Sequence, residues 1–168
     1  MKSQTKTAAK PLRGKKSWRE KLLDDKDLPK VVPMRSKALE SSSDAGTMVI
    51  PAPREVDALM RRVTRGKVTT IDDLRVALAR RHKTTAACPI TTGIFAWIAA
   101  HAADEASAAG EADVTPYWRT LKAKGELNPK YPGGLAVITA RLEAEGHTVF
   151  QKGARFFVRD FEKARARL

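Results

Sequence analysis

The chain has 168 residues, with 32 Lys or Arg against 19 Asp or Glu and a formal net charge of +13. A protein this basic usually binds a polyanion, most often nucleic acid, although high charge also serves solubility. One cysteine (Cys88) excludes an internal disulfide, three scattered histidines lack metal-ligand spacing, and no apolar run is long enough to span a membrane, so we expect no metal, cofactor or membrane partner.

Residues 1–47 are predicted to form a basic, largely flexible tail, because they hold 12 Lys or Arg and few large apolar residues. The stretch 41–46 has the small, polar composition of a linker. Within the tail a short helix is predicted at 17–23, where Ser17 and Glu20 have the spacing of a capping box. This helix either docks on the domain or a partner, or is unstable by itself.

Residues 48–168 are predicted to form the folded domain. Its first helix is expected at 53–63, where one helical face collects Val56, Leu59, Met60 and Val63. A second helix is expected at 71–81. Thr70 stands at its N-cap position, and Asp73 supplies a negative charge that favours the first turn.

A connector at 82–89 leads to a third helix at 90–103, which is apolar on most faces. We expect this helix to be buried except at its threonine-rich start, and Trp97 to pack in the core. Two helices separated by a short link indicate a helix-turn-helix. The following stretch, 104–113, is rich in Ala and Glu and favours helix, although Gly110 interrupts it.

A further helix is predicted at 137–145, followed by a β-hairpin with Gly153 in its turn. A short basic helix at 160–167 is expected to close the chain. The predicted fold class is therefore mainly α with a small β-hairpin. Helices followed by a hairpin indicate a winged-helix, helix-turn-helix domain.

Two motifs carry the most specific signal in the sequence. Residues 115–120 read Thr-Pro-Tyr-Trp-Arg-Thr, and residues 131–137 read Tyr-Pro-Gly-Gly-Leu-Ala-Val. Together they resemble the active-site region of the O6-alkylguanine-DNA alkyltransferases, which carry Pro-Cys-His-Arg and, after a spacer, Tyr-x-Gly-Gly-Leu. The resemblance extends over residues 53–147 and implies the DNA-binding domain of that family.

Within this resemblance the residues of the transfer chemistry are replaced. Tyr117 stands at the nucleophilic cysteine, and a phenol with a pKa near about 10 is protonated at neutral pH. Trp118 stands at the histidine and cannot accept a proton. In the family a histidine and a glutamate activate the cysteine, and of these only the glutamate is kept, as Glu145. Ile71 replaces a tyrosine of the first helix. The family also has a finger arginine, which fills the space that the flipped base leaves in the stack. It has no basic counterpart here, since the matching position falls on Ile90, Thr91 or Thr92.

The pattern is similar to the alkyltransferase-like proteins, which lack the cysteine, bind lesion-containing DNA and pass it to other repair factors. The resemblance implies that the helix around 91–97 enters the minor groove of duplex DNA and holds a flipped nucleotide. It also implies recognition of alkylated guanine without transfer, and a repair-protein partner. We further expect a monomer located in the cytoplasm, or associated with the nucleoid in a prokaryote.

Two groups of site residues are predicted. Nucleic-acid contacts are expected from Thr69, Thr70, Thr91, Thr92, Gly93 and Arg119. Helix capping explains the threonines equally well, and Arg119 is either a structural arginine, a phosphate contact or a solvated surface residue. A base pocket is predicted from Tyr117, Trp118, Tyr131, Gly133 and Gly134. The alternatives are a core aromatic pair and a tight turn that begins the next helix.

Two other classes of function stay open. The charge and the tail also fit an RNA- or ribosome-associated factor. An enzyme that accepts an alkyl group on Tyr117 or Cys88 is disfavoured, because neither residue has an adjacent base in the sequence. We therefore predict no catalytic residue.

Overall fold

The computed structural model describes residues 14–34 and 46–168. Within these ranges no helix is long and apolar enough to cross a membrane. The predicted fold class, mainly α with a small β-hairpin and a helix-turn-helix, is confirmed. The α-helices are α1 (Trp18–Leu23), α2 (Pro53–Arg61), α3 (Ile71–Arg81), α4 (Pro89–Ala108) and α5 (Gly134–Ala144). The strands are β1 (Lys30–Pro33), β2 (Thr47–Ile50), β3 (Thr69–Thr70), β4 (Ala86–Ala87), β5 (Thr120–Leu121), β6 (Val149–Lys152) and β7 (Arg155–Val158).

The helix-turn-helix consists of α3 and α4. The Thr70 hydroxyl accepts a hydrogen bond from the Asp73 N–H at 3.2 Å, and the Asp73 carboxylate accepts one from the Thr70 N–H at 3.0 Å. This reciprocal capping satisfies two N–H groups that a helix start leaves free. Pro89 occupies the first turn of α4, where its missing N–H costs nothing. The helix runs five residues beyond the predicted end at 103, because the alanine-rich stretch continues it as far as Ala108.

The core is built around α4, which contacts α1, α2 and α3. Its buried face consists largely of alanine, and the small side chains let the neighbouring helices approach closely. Larger apolar residues of α2, α3 and α5 fill the surrounding space, and Met60, Leu74, Leu78 and Leu142 are fully buried. Burying these side chains stabilises the fold by roughly 1.5–3 kcal/mol each relative to leaving them exposed.

Three small sheets complete the fold. In the first, β2 lies between β1, which is antiparallel to it, and β4, which is parallel. The second joins β3 to β5, and the third is the predicted hairpin β6–β7, with Gly153 at φ +62° in its turn. The C-terminal segment forms only a 3-10 helix, Phe161–Ala164, in place of the helix expected at 160–167. Its next residues pair with Val68 instead, which holds them extended.

The expectation of a tail at 1–47 is corrected for residues 14–34, which belong to the folded structure. The short helix predicted at 17–23 is present as α1, with the Ser17–Glu20 capping box in place. Strand β1 pairs with β2 from Lys30 opposite Ile50 onward. Tertiary packing and strand pairing supply the stability that so short a helix and strand lack by themselves. Most of the predicted linker, 41–45, lies outside the described residues.

Candidate functional site

The residues of the predicted base pocket do come together, but as a packed cluster. The ring of Tyr117 lies edge-to-face against Trp118 and Tyr131, with centroid separations of 5.5 and 6.0 Å. Tyr117 is 1% exposed and Tyr131 3%. The Tyr117 hydroxyl donates a hydrogen bond to the carbonyl of Pro132 at 3.3 Å. The open pocket that we expected is therefore replaced by a core aromatic cluster, because the larger rings fill the space.

Burial also determines the acid–base character of this inner aromatic cluster. It raises the pKa of the Tyr117 phenol and, more strongly, that of the Tyr131 phenol. The guanidinium of Arg141 lies over the Trp118 ring, 4.4 Å from its centroid, and covers the outer side of the cluster. Neither phenol is ionised near neutral pH, so neither provides the nucleophile that alkyl transfer needs.

Gly133 and Gly134 form the turn that leads from this cluster into α5. Gly133 has φ +78°, and a Cβ on it would stand 2.5 Å from the Cβ of Val137. The position therefore excludes a side chain for both conformational and steric reasons. This motif was interpreted either as part of a base pocket or as a tight turn that begins the next helix. The geometry of Gly133 supports the tight turn.

Arg119, predicted as a nucleic-acid contact or a structural arginine, is bonded inside the fold. Its guanidinium donates to both carboxylate oxygens of Glu145 at 2.8–3.1 Å and to the carbonyl of Val63 at 2.6 Å. The two side chains are only 13% and 5% exposed. Because the guanidinium N–H groups of Arg119 bond to Glu145 and Val63, few of them remain to contact a phosphate.

Glu145 is held by the same network. Trp118 Nε1 donates to it at 2.9 Å and the Gly66 N–H at 3.2 Å, in addition to Arg119. Burial raises the pKa of this carboxyl, but the hydrogen bonds outweigh it, so that the pKa lies below its usual value. A carboxylate held by so many donors is a poor base, and its evident task is to fasten α5 to the segment that follows α2.

Three of the four threonines that were predicted to contact nucleic acid are buried in the fold. Thr69 and Thr92 are fully buried, and Thr70 is 4% exposed with its hydroxyl in the cap of α3. The Thr92 hydroxyl donates to the Cys88 carbonyl at 2.7 Å. Capping accounts for the Thr70 side chain and internal bonding for that of Thr92, whereas the buried Thr69 hydroxyl has no hydrogen-bond partner among the described residues. Thr91 is half-buried.

A groove of about 850 Å³ opens beside α4, and its lining includes no residue of the inner aromatic cluster. We call it the α4 groove. One wall is the exposed face of α4, formed by Ile90, Gly93, Ile94, Trp97 and His101. The other wall is the loop between β5 and α5, formed by Lys122, Asn128, Pro129 and Lys130. Its volume is in the range of sites that hold small molecules or single nucleotides.

The two walls are joined at one point, where Trp97 Nε1 donates to the Lys130 carbonyl at 3.1 Å. Ile90 is 71% exposed and Ile94 46%, although both stand on a helix that forms the centre of the core. Lys122 pairs with Glu126 at 2.8 Å, and Lys130 is exposed. The groove thus combines an apolar face with cationic side chains at its edge.

Gly93 lies on the groove wall between the two isoleucines. A Cβ there would meet no heavy atom within 4 Å, so packing inside the protein does not require glycine. Glycine inside a helix costs about 1 kcal/mol relative to alanine. Because Gly93 has no side chain, a ligand can approach the helix backbone closely at this position. Of the residues predicted to contact nucleic acid, Gly93 is the one that lines the groove.

The groove lies on the helix whose start was predicted to contact nucleic acid, but none of the predicted threonines lines it. The residues that line the groove from α4 are spaced three or four apart, as expected for one face of a helix. They are displaced by one or two positions from the predicted threonines. Because almost every face of α4 is apolar, periodicity could not show which face is exposed.

Cys88 is the N-cap residue of α4 and is half-buried. Burial raises the pKa of its thiol, but hydrogen bonds from the Thr91 side chain and from the N–H groups of Thr91 and Ile90 outweigh this effect, so that the pKa lies below its usual value. Among the described residues, no cluster of His, Cys, Asp or Glu is arranged to hold a metal ion.

No protein-family model matches the sequence, and no curated protein matches it. Two solved structures from S. pombe are similar to the chain. One, the protein ATL in complex with DNA, has a TM-score of 0.50 and 17% identity, covering 69% of this chain and 94% of that one. The other, Atl1 in complex with damaged DNA containing O6-carboxymethylguanine, has a TM-score of 0.49 and 16% identity with the same coverage. The likeness to the ATL structure shows that the chain has the fold of that protein.

Proposed function

We propose that this chain is a non-enzymatic DNA-binding protein, and that it binds duplex DNA with the exposed face of α4 and the groove beside it. The observation that carries the proposal is the exposure of Ile90 and Ile94 on the second helix of a helix-turn-helix. Burial of two such side chains against a partner is favourable, whereas exposing them to water serves no purpose within the fold. The net charge of +13 and the lysines of the groove favour a polyanionic partner.

The minor groove fits this face better than the major groove. Proteins that bind the minor groove insert apolar side chains between base steps, and Ile90 and Ile94 are of that kind. Gly93 between them allows the helix backbone to approach closely. In the proposed arrangement the isoleucines occupy the place of the absent finger arginine, and Lys122 and Lys130 contact phosphates.

Recognition of an alkylated guanine is the more specific form of the proposal. Because the inner aromatic cluster is packed, an extruded base would enter the α4 groove, where Ile94, Trp97 and Pro129 offer apolar surface to an alkyl group. Binding without transfer leaves the lesion in place, so we propose a monomer that presents it to a repair protein. The buried phenol of Tyr117 and the indole of Trp118, which is engaged with Glu145, support the absence of transfer chemistry.

The test is a fluorescence anisotropy titration of labelled duplexes, one plain and one containing O6-methylguanine. Ile94→Glu places a negative charge in the groove, and we expect it to weaken binding at least about tenfold, the equivalent of about 1.4 kcal/mol. Val76→Glu is the matched control, because Val76 is 65% exposed on α3 and does not line the groove.

The outcomes separate the parts of the proposal. Equal affinity for the two duplexes removes the lesion-recognition claim and leaves DNA binding. Equal loss in the Ile94 and Val76 variants contradicts the assignment of the α4 groove. Tighter binding to a structured RNA competitor than to either duplex favours the RNA-associated alternative. A gain in intact mass of one methylene, because a methyl group replaces the thiol proton, contradicts the absence of transfer if it appears after incubation with the alkylated duplex and is lost in Cys88→Ser.

A further inference from the structure

We propose that the outer face of the β6–β7 hairpin binds single-stranded DNA, as a site separate from the α4 groove. Unpaired bases stack there on two exposed phenylalanines, and the phosphates pair with the cations beside them. The choice of DNA over RNA rests on the proposed function, whereas the site itself rests on the residues of the hairpin. It gives the protein a second nucleic-acid ligand besides the duplex.

The register of the hairpin divides its side chains between two faces. Phe150 stands opposite Phe157, so both rings lie on the same face, because alternate residues of a strand point to opposite sides. The other face packs against the core through Val149, Phe156 and Val158. The pairing continues one residue beyond the strands. We call the opposite side the hairpin outer face, which consists of Thr148, Phe150, Lys152, Arg155, Phe157 and Arg159.

The two phenylalanines of the hairpin outer face form an aromatic pair. Their rings stack with a centroid separation of 5.6 Å and an interplanar angle of 23°. Phe150 is 37% exposed and Phe157 is half-buried. Neither belongs to the core that the described residues form. An aromatic pair that stays partly in water is therefore available to a partner.

Cations flank this aromatic pair at both ends. The Arg155 guanidinium lies 5.5 Å from the centroid of the Phe157 ring, and the Arg159 guanidinium lies 5.7 Å from that of Phe150. Lys152 is exposed on the same face. Residues 148–159 contain no Asp or Glu, so the hairpin itself does not neutralise these charges. The hairpin outer face thus offers positive charge and aromatic surface side by side.

The hairpin outer face adjoins the edge of the α4 groove. Glu126 forms an isolated β-bridge with Phe157. Its carboxylate accepts a hydrogen bond from Lys122 at 2.8 Å and lies 3.6 Å from the Arg155 guanidinium. Lys122 also lines the groove. Because Glu126 is neutralised from both sides, positive surface continues from the proposed duplex site to the hairpin, and for this reason we assign the strand as DNA.

An unpaired strand fits this surface better than a duplex does. In a duplex the base faces are stacked inside the double helix, so a duplex would engage the arginines and leave the rings in water. Each unpaired nucleotide presents a phosphate and a free base face. Aromatic rings combined with cations are the general means by which proteins bind such strands, and guanidinium planes stack on bases as well.

The experiment is an anisotropy titration of a short labelled oligothymidylate. We expect Phe150→Ala to weaken its binding at least about fivefold and to leave duplex binding unchanged, because stacking on the ring is lost while every cation stays. Phe150→Trp keeps an aromatic face and should restore the affinity. Val76→Ala is the matched control, since Val76 is 65% exposed on α3. Ile94→Glu, which blocks the groove, should change oligothymidylate affinity by less than about twofold.

A second variant keeps both rings and removes the flanking charges, as Arg155→Gln combined with Arg159→Gln. Each lost phosphate contact should reduce the slope of log affinity against log salt concentration by about 0.7 for a single strand. Lys67→Gln combined with Lys83→Gln is the control of equal charge, because both lysines are exposed and lie outside the hairpin. This control should keep the parent slope.

The outcomes separate this inference from the proposed function. Equal oligothymidylate affinity in the parent and Phe150→Ala, or no binding by the parent, overturns the inference while duplex binding stands. Complete loss in Ile94→Glu assigns the strand to the groove and also overturns it, and tighter binding of oligouridylate overturns the choice of DNA. Retained oligothymidylate binding without duplex binding overturns the proposed function alone. If thermal melting shows that Phe150→Ala is unfolded, an unchanged salt slope in the double arginine variant overturns the inference.

Discussion

Arg119 and Glu145 form the most heavily bonded ion pair of the described residues, and they lie where the sequence resembled a reactive centre. Removing one member of a buried pair leaves the other charge without compensation, at a cost of about 3–5 kcal/mol. We expect Arg119→Met to lower the free energy of unfolding by this amount in urea titrations. Lys163→Met, which breaks an exposed pair with Asp160, should change it by less than about 1 kcal/mol.

The same pair predicts a dependence on pH. The folded-state pKa of Glu145 lies below its ordinary value of 4.5, so its stabilising effect is present above that pH and is lost as pH falls through the folded-state pKa. Glu145→Gln should therefore destabilise the protein strongly at neutral pH and progressively less as the pH falls below 4.5 toward the folded-state pKa. A difference in unfolding free energy that does not change with pH would show that the pair is not linked to stability.

At Gly93 we expect one substitution to change stability and DNA binding in opposite directions. In Gly93→Ala a methyl group enters open space and a flexible residue leaves a helix, so we expect the protein to gain about 0.5–1 kcal/mol. If DNA approaches the backbone there, the same change weakens DNA binding, and Gly93→Val weakens it further. Thermal unfolding and anisotropy on the same samples test both effects. A more stable variant with unchanged affinity would contradict the close approach at this position.

At the scale of elements, α4 has two faces with different tasks. Ala96, Ala99, Ala100 and Ala103 let the neighbouring helices pack closely against it, while the groove face is left for a partner. Ala100→Leu should overpack the core and lower the unfolding free energy by about 1–3 kcal/mol. Ala108→Leu near the exposed end of the same helix should have an effect within about 0.5 kcal/mol. Equal unfolding midpoints for the two variants would contradict this division of the helix.

The elements that the sequence predicted are those with local signals. The Thr70–Asp73 and Ser17–Glu20 spacings encode helix starts, and Gly153 encodes the hairpin turn, because these interactions span only a few residues. Strands β1 to β5 were missed, since each has only two to four residues and pairs with a segment that is distant in the chain, without a tight turn between them. A periodic pattern needs more residues than that to be recognised.

At the scale of the whole molecule, the excess of positive charge predicts how binding responds to salt. If about six phosphates are neutralised, affinity should fall about a thousandfold or more between roughly 50 and 200 mM salt. Titrations at several salt concentrations measure this slope directly, and uncharged osmolytes at matched osmolality serve as the control. Binding that is insensitive to salt would contradict a phosphate-contacting surface.

The sequence by itself determined the helices, the hairpin, the helix-turn-helix and the basic character of the protein, because composition, capping and apolar spacing are local properties. Only the tertiary structure decided the use of the Pro-Tyr-Trp-Arg motif. Its tyrosine is buried in the core and its arginine forms an ion pair with Glu145. The open groove lies instead between α4 and the loop before α5. The physical reason is that exposure and ion pairing depend on which distant segments meet, and residues 119 and 145 or 97 and 130 become neighbours only in the folded chain.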